Sequence, residues 1–280
     1  MKTIQTFHDL KERVANTGRT LRIAAVMPDD EATQAALQQI AGEGLATVIN
    51  IVNEQPQEAA QEAVALIRQG EADVLMKGLI GTDQLLRAVL NKDTGILPPG
   101  HVLTHLAAAE TSVYHKLLFF TDAAVIPYPT HEQRIEQVRY TVGVCHGLGI
   151  EEPRIALTHC AEHGGKQFPF VDGYADIIQM ARDGAFGRCL VDGPMDIKTA
   201  CSLHALETKH MTSPLEGEAD VLIMPDIEAG NTLYKALTFF AGAKAAGMLC
   251  GAKCPVVLPS RGDDAETKYD SILMALASLS

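Results

Sequence analysis

Short apolar runs alternate with amphipathic stretches along the whole chain, and the alternation predicts a β/α succession. The opening MKTIQTFHDLKERVANTG reads as a helix with Ile4, Phe7, Leu10 and Val14 on one face. Residues 21–26 and 45–52 read as strands, joined by a helix that Asp29 or Asp30 caps and that runs to about Gly42. Residues 56–69 predict a helix closed by Gly70, then comes a strand at 72–76, and KGLIGTDQ leads into a helix near Thr82. GILPPG breaks that helix ahead of a strand at 101–106, and residues 107–114 read as irregular. A strand at 116–121, the loop AAVIPYPT and a helix over 131–148 follow. Further on, strands are predicted at 154–158, 189–191, 220–224 and 256–258, and helices at 172–185, through Ser202, at 228–240, around 242–251 and at 264–279. DGPMD reads as a turn. Short strands separated by helices imply a parallel sheet with right-handed crossovers.

Two of these units share one plan. The runs ending at Met224 and Leu258 each meet a proline, then a polar loop, then a helical pattern. In open α/β sheets such loops lie at the carboxyl ends of strands, where ligands bind and helix amides can hold an anion.

With 280 residues, 47% of them hydrophobic and 21% charged, there is ample material for a core and no compositional sign of disorder. Single cores stop growing at roughly 250–300 residues, so two lobes are expected. Residues 1–106 with 248–280 would form one, and residues 107–247 the other. A net charge of −12 argues against nucleic-acid or membrane surfaces, which need clustered Lys and Arg. An anionic ligand therefore needs a local cationic site. Neither a signal peptide nor a membrane span is read, so a soluble, cytoplasmic protein is expected. The six scattered cysteines are expected to be reduced and mostly buried.

The candidate chemistry lies in three loops. In PSRGDDAET, Ser260 and Arg261 sit at a strand's mouth, Gly262 permits an unusual backbone angle, and Asp263 with Glu266 has capping-box spacing. An anion there would meet a guanidinium, a hydroxyl and free backbone N–H groups together; an ordinary capped loop is the alternative. In KGLIGTDQ, Lys77 follows a buried strand and Gly78 opens the turn, which suits either phosphate or the turn alone. The chain contains neither a Walker loop nor G-x-G-x-x-G. In PDIEAGNTLYKAL, Asn231, Tyr234 and Lys235 fall on one helix face, either a cleft wall or a solvated surface. His159-Cys160-x-x-His163 has metal-type ligands but no second pair at a suitable spacing, and Cys250-x-x-x-Cys254 lacks redox spacing. His204 with Lys209 and Asp220 could neighbour a cleft, although ordinary surface placement is the favoured reading.

Taken in order, VLMKGLIGTDQLL, LLFFTDAAVIPYPTHEQ, VDGP, ADVLIMPDIEAGNTLYKAL and CPVVLPSRGDDAET resemble the phosphate acetyl/butyryl transferases, closest to the butyryl branch. The resemblance implies a two-lobed, parallel-sheet-rich α/β fold like that of isocitrate and isopropylmalate dehydrogenases, with a cleft between lobes and a homodimer or larger assembly. It implies transfer of a short acyl group between CoA and inorganic phosphate, with no metal and no cofactor beyond CoA as substrate. On matching positions, Ser260 would stabilise the reacting thioester, Arg261 would bind phosphate, and Asn231, Tyr234 and Lys235 would line the cleft. Lys77 and Gly78 would contact phosphate or CoA, and Gly262 completes the Ser-Arg-Gly triplet. The acetyl branch has a basic aspartate where Thr267 stands here, which leaves Glu266, one residue earlier, as the candidate base. DGPMDIKTA also differs, with Asp196 and Lys198 at positions often apolar and acidic in related sequences. GILPPG lacks the acetyl branch's phosphate-binding arginine. Two alternatives are an NAD-dependent decarboxylating dehydrogenase, for which only Asp220 and Asp226 could start a metal cluster, and a non-catalytic CoA-binding module.

Overall fold

The structure, a computed structural model, describes residues 4–280; the first three residues of the stretch that the sequence pattern reads as a helix lie outside the described residues. In chain order the elements begin α1 (Phe7–Asn16), β1 (Leu21–Val26), α2 (Glu31–Gly42), β2 (Ala46–Ile51), α3 (Pro56–Gln69), β3 (Val74–Lys77) and α4 (Thr82–Val89). They continue with β4 (Thr104–Glu110), β5 (Leu118–Thr121), α5 (His131–Gly147), β6 (Arg154–Thr158), α6 (Tyr174–Arg182), β7 (Leu190–Met195), α7 (Ile197–Cys201) and α8 (Leu203–Thr208). The last are β8 (Val221–Ile223), α9 (Ile227–Lys235), β9 (Lys244–Cys250), β10 (Val256–Val257) and α10 (Ala265–Ala277). The fold is mixed α/β with mostly parallel strands. Among the described residues no helix is long and apolar enough to cross a membrane.

The chain divides into two compact units. One comprises Phe7–Leu103 and Ala245–Ser280; the other comprises Thr104–Lys244 with residues 4–6. In the first, the strands run β2-β1-β3-β10-β9, with β2, β1, β3 and β10 parallel and β9 antiparallel to β10. The crossovers through α2 and α3 lead to opposite sides of β1, which places these helices on opposite faces of the sheet. Their ends carry the expected stops: the Asp30 side chain accepts from Thr33 N, and Gly70 closes α3 at φ 72°. α10 packs against both α1 and α2. Every residue from Lys268 to Ala277 is buried.

In the second unit the order is β4-β5-β8-β6-β7, parallel except for the β4–β5 pair. Phe120, Ala156, Leu215 and Leu222 share its apolar core. Asp122, 1% exposed, ties the start of β4 to the loop after β5. One of its oxygens accepts from Ala124 N and Val125 N at 2.7 and 2.8 Å. The other accepts from the Thr104 hydroxyl, His105 N and Ile126 N at 2.9, 3.0 and 3.2 Å. Against this loop lies Gly230 of α9, where an added Cβ would stand 2.1 Å from the Asp122 carbonyl oxygen.

Several elements depart from the sequence pattern. Residues 107–110, read as irregular, belong to β4, because a run of alanines is consistent with a fully buried strand as well as with a loop or helix. The predicted helix at 242–251 is strand β9, and for the same reason: its run of apolar residues, Ala245, Ala246, Leu249 and Cys250 among them, is buried. DGPMD is not a free turn, since Asp192–Met195 extends β7; β7 ends the sheet, and an edge strand tolerates Pro194. The helix predicted from Glu228 to Phe240 becomes a π-turn over Ala236–Phe240, and that at 172–185 starts with a 3-10 turn at Pro169–Gly173. Of the six free cysteines, Cys145, Cys250 and Cys254 are buried, while Cys160 is exposed and Cys189 and Cys201 lie between.

Replacing Asp122 by Ala leaves four amides short of an acceptor, while the Thr104 hydroxyl can still turn to Thr121 Oγ1 at 2.9 Å. Each such donor costs about 1–3 kcal/mol, so urea unfolding should show a loss of roughly 3 kcal/mol or more. A loss below about 1 kcal/mol would show that the carboxylate does not organise this loop.

Candidate functional site: a cation cluster at the strand ends

β1 is followed by β2 on one side and flanked by β3 on the other, so the loops leaving β1 and β3 part at a topological switch point. Val26 pairs with Lys77 and Met76 with Val257, which brings the carboxyl ends of β1, β3 and β10 together. Past the strands the backbones stay in contact, with Gly78 N donating to Val26 O at 2.8 Å and Leu79 N to Met27 O at 2.7 Å. A Cβ at Gly78 would stand 2.1 Å from the Met27 carbonyl oxygen, so the turn requires glycine at this position.

Lys77 is 3% exposed, and its ammonium donates to the Gly78 carbonyl at 3.1 Å. Burial lowers its pKa, and the charges of Arg261 and Lys268 lower it further, against Asp30 and Asp263. Lys268, also 3% exposed, donates to Asp30 Oδ1 at 2.6 Å and to the Thr33 hydroxyl at 3.0 Å. Burial pushes the Asp30 carboxyl up, but its hydrogen bonds from Lys268 and Thr33 outweigh this and hold it at about 2. Three cations thus share the end of this sheet with two carboxylates.

The loop after β10 is folded on itself. Ser260 N donates to Asp263 Oδ2 at 2.7 Å, Gly262 N to Ser260 Oγ at 3.4 Å, and Asp263 N to Ser260 O at 3.2 Å. These three amides are therefore occupied rather than free for an anion, as the sequence suggested. Ser260 Oγ accepts one bond and keeps its own proton to donate. The N-cap of α10 is Asp264, which accepts from Thr267 N at 2.8 Å; the expected box of Asp263 with Glu266 does not form, because Asp263 is turned onto Ser260. Gly262 is not at positive φ, and an added Cβ would meet nothing within 4 Å. Glu266 is exposed in the first turn of α10, where an acid suits the helix dipole.

Lys77, Gly78, Ser260, Arg261, Gly262 and Glu266 all belong to the unit of Phe7–Leu103 and Ala245–Ser280, whereas Asn231, Tyr234 and Lys235 belong to the other. Those three do different work. Asn231 Nδ2 donates to Ala123 O at 3.0 Å, the Tyr234 ring packs on Phe120 at 6.3 Å, and exposed Lys235 lines a cavity of about 500 Å³ with Asn231. His159 packs edge-on to Phe168 and Phe170 at 4.7 and 5.7 Å. Lys209 is paired with Glu162 and, at 2.7 Å, with Asp196; Asp220 is buried against Lys116 at 2.7 Å. Asp226 caps α9 through Ala229 N at 2.8 Å, so both acids considered for a dehydrogenase metal cluster are committed elsewhere.

Asp30 with Lys268 is the part of the site that pattern reading missed. A lysine inside a helix buried from Lys268 to Ala277 is the signal that could have found it, since such a charge needs a partner. Arg134 was missed too: it is 2% exposed, lies over Phe170 and Tyr174, and donates to Pro225 O at 3.0 Å.

Fold and cluster together define an α/β protein with a group of cations outside the carboxyl ends of its parallel strands. More narrowly, the chain belongs to the family described as phosphate acetyl/butaryl transferase, whose model matches residues 11–276. It is 41% identical over 226 residues to a phosphate butyryltransferase of Clostridium acetobutylicum, covering 80% of this chain and 75% of that one. Over 225 residues it is 37% identical to a phosphate acetyltransferase of Thermotoga maritima, covering 80% and 76%. Its fold is similar to the crystal structure of a branched-chain phosphotransacylase from Enterococcus faecalis V583, with TM-score 0.81, 28% identity, and 93% and 100% of the two chains covered.

The depressed Asp30 pKa predicts an acid-side stability dependence. Its contribution is complete above the unfolded carboxylate value near 4 and is lost as pH falls toward about 2. Urea midpoints measured from pH 5 to pH 2 should fall more steeply in the wild type than in Asp30→Asn; parallel curves would remove the pair from the acid response.

Proposed function

We infer that the chain moves a short acyl group, butyryl or similar in size, between CoA and inorganic phosphate: acyl-CoA and phosphate give acyl phosphate and CoA. Family membership carries the phosphate acyltransferase activity. The observation that supports the placement of the chemistry is the excess of cations at the ends of β3 and β10, where Lys77 and Lys268 are buried and Arg261 is exposed.

In this reading Arg261 and Lys77 hold phosphate, since a guanidinium fork suits two phosphate oxygens and a hydrogen bond to an ionised group contributes about 1.5–3 kcal/mol. A phosphate oxygen attacks the thioester carbonyl, and the Ser260 hydroxyl donates to the oxygen on which charge develops. The C–S bond then breaks with its electron pair on sulfur. The proton given up by the phosphate passes through Glu266 to that sulfur; in reverse, Glu266 takes it from the CoA thiol. Every atom is accounted for without a metal or a redox cofactor. The cleft implied by the resemblance, with Asn231, Tyr234 and Lys235 along it and Gly262 beside the phosphate, is part of the same proposal. So is self-association, for which Phe239 and Phe240, 81% and 84% exposed, provide an apolar surface to cover. CoA thioesters and phosphate are abundant in the cytoplasm, the compartment assigned to the reaction.

Thiol release from butyryl-CoA should require added phosphate. Arg261→Ala should raise the phosphate KM, and Ser260→Ala should cut kcat by about 10²–10³, the usual loss of one oxyanion donor. Glu266→Gln should lower kcat by roughly 10²–10⁴, as for a missing general base, with little change in KM. Thiol release indifferent to phosphate would sink the assignment; a normal rate in Glu266→Gln would remove only the base.

A further inference from the structure

Three lysines are buried among the described residues, and two of them are matched to carboxylates. Lys116 donates to Asp220 Oδ1 and to the Glu218 carbonyl, both at 2.7 Å; Lys268 donates to Asp30 Oδ1 at 2.6 Å and to the Thr33 hydroxyl at 3.0 Å. Lys77 is the exception. Its one hydrogen bond runs to the Gly78 carbonyl at 3.1 Å, so two of its three N–H groups have no acceptor among the described residues. Arg261 and Lys268 act against its charge, while Asp30 and Asp263 act for it. Both of those carboxylates are engaged elsewhere, Asp30 by Lys268 and Asp263 by Ser260 N.

A lysine placed in this way has two forms to choose between. With phosphate in the site it is an ammonium paired to an anion. Without phosphate, burial and the neighbouring cations favour loss of its proton to solvent, which leaves a free amine. A desolvated lysine beside another cation is a nucleophile toward carbonyl carbon. On the acyl-transfer reading, the thioester carbonyl stands beside the phosphate that Lys77 helps to hold, so with phosphate absent the carbonyl faces the amine itself.

We propose that Lys77 is a self-acylation site: in the absence of phosphate its amine takes the acyl group from acyl-CoA, and the chain inactivates itself. The proposal rests on acyl-CoA being the substrate. Lys77 first gives one proton to solvent. The nitrogen lone pair then forms a C–N bond to the carbonyl carbon, the C–S bond breaks with its electron pair on sulfur, and one of the two remaining amine protons ends on that sulfur. The products are an amide and CoA thiol, with no oxidant, reductant or third reactant. The amide is neutral, so the cost of a buried ammonium among like charges disappears. An amide does not pass its acyl group on to phosphate, which makes the modification a dead end rather than an intermediate of turnover.

The test incubates the wild type with butyryl-CoA in phosphate-free buffer and reads intact mass and the peptide between Arg68 and Arg87. One butyryl group per chain should appear on Lys77, ahead of exposed lysines such as Lys92 and Lys253. Phosphate-dependent thiol release should fall in proportion to the fraction labelled, and added phosphate should slow the initial labelling. Lys77→Arg, which keeps the charge without a nucleophilic amine, should stay unlabelled at that peptide. A chain that takes up no butyryl group, label on Lys92 or Lys253 with Lys77 free, or labelling of Lys77 as fast in the urea-unfolded chain as in the folded one would overturn the proposal. The freshly prepared chain is assayed in parallel: phosphate-dependent thiol release with Lys77 unlabelled overturns self-acylation alone, whereas thiol release indifferent to phosphate overturns the acyltransferase reading.

Discussion

Gly78 and the carbonyl of Met27 lie so close that a methyl group has no room between them, and the site depends on that contact. It lets the β1–β3 pairing continue beyond both strands, through the bonds from Gly78 N to Val26 O and from Leu79 N to Met27 O. Lys77 is thereby held at the end of β3 and desolvated. The next turn on the β1 side delivers Asp30 to the start of α2, where it caps the helix and receives Lys268 from α10. One backbone approach thus sets the position of a buried lysine, a helix start and the helix that follows Ser260 and Arg261.

Charge balance supports the proposed anion site in a chain of net charge −12. Three cations, Lys77, Lys268 and Arg261, face two carboxylates, Asp30 and Asp263, and both carboxylates are already engaged by hydrogen bonds. Burial and two like charges disfavour the ammonium of Lys77, and a phosphate would relieve that cost. Three loop amides contribute less than their position suggests, because the Ser260 loop bonds to itself. That self-bonding leaves Ser260 Oγ an acceptor from Gly262 N with its own proton still available to donate.

Most of the β/α succession was legible because helices and strands here differ in period and carry their own stops, such as Asp30 before α2, Pro56 within α3 and Gly70 after it. It failed where residues were small and apolar. Ala107–Ala109 and Ala245–Ala246 have no periodicity to read, and only tertiary pairing makes them strands. Of the site, the Ser260-Arg261 and Lys77-Gly78 loops were visible as glycine-containing turns after buried strands. Their context was not: the Asp30–Lys268 pair joins residues 238 positions apart. Nor could spacing say that Asp264 rather than Asp263 caps α10, since either acid precedes the helix and the choice follows from Asp263 bonding Ser260 N.

The most direct test of the account is phosphorus NMR of butyryl-CoA incubated with inorganic phosphate and the wild-type chain, read alongside free thiol. An acyl-phosphate resonance should grow in step with thiol, and both should be lost together in Lys77→Met with the protein still folded. Thiol appearing with free butyrate while the phosphate signal stays unchanged would contradict it.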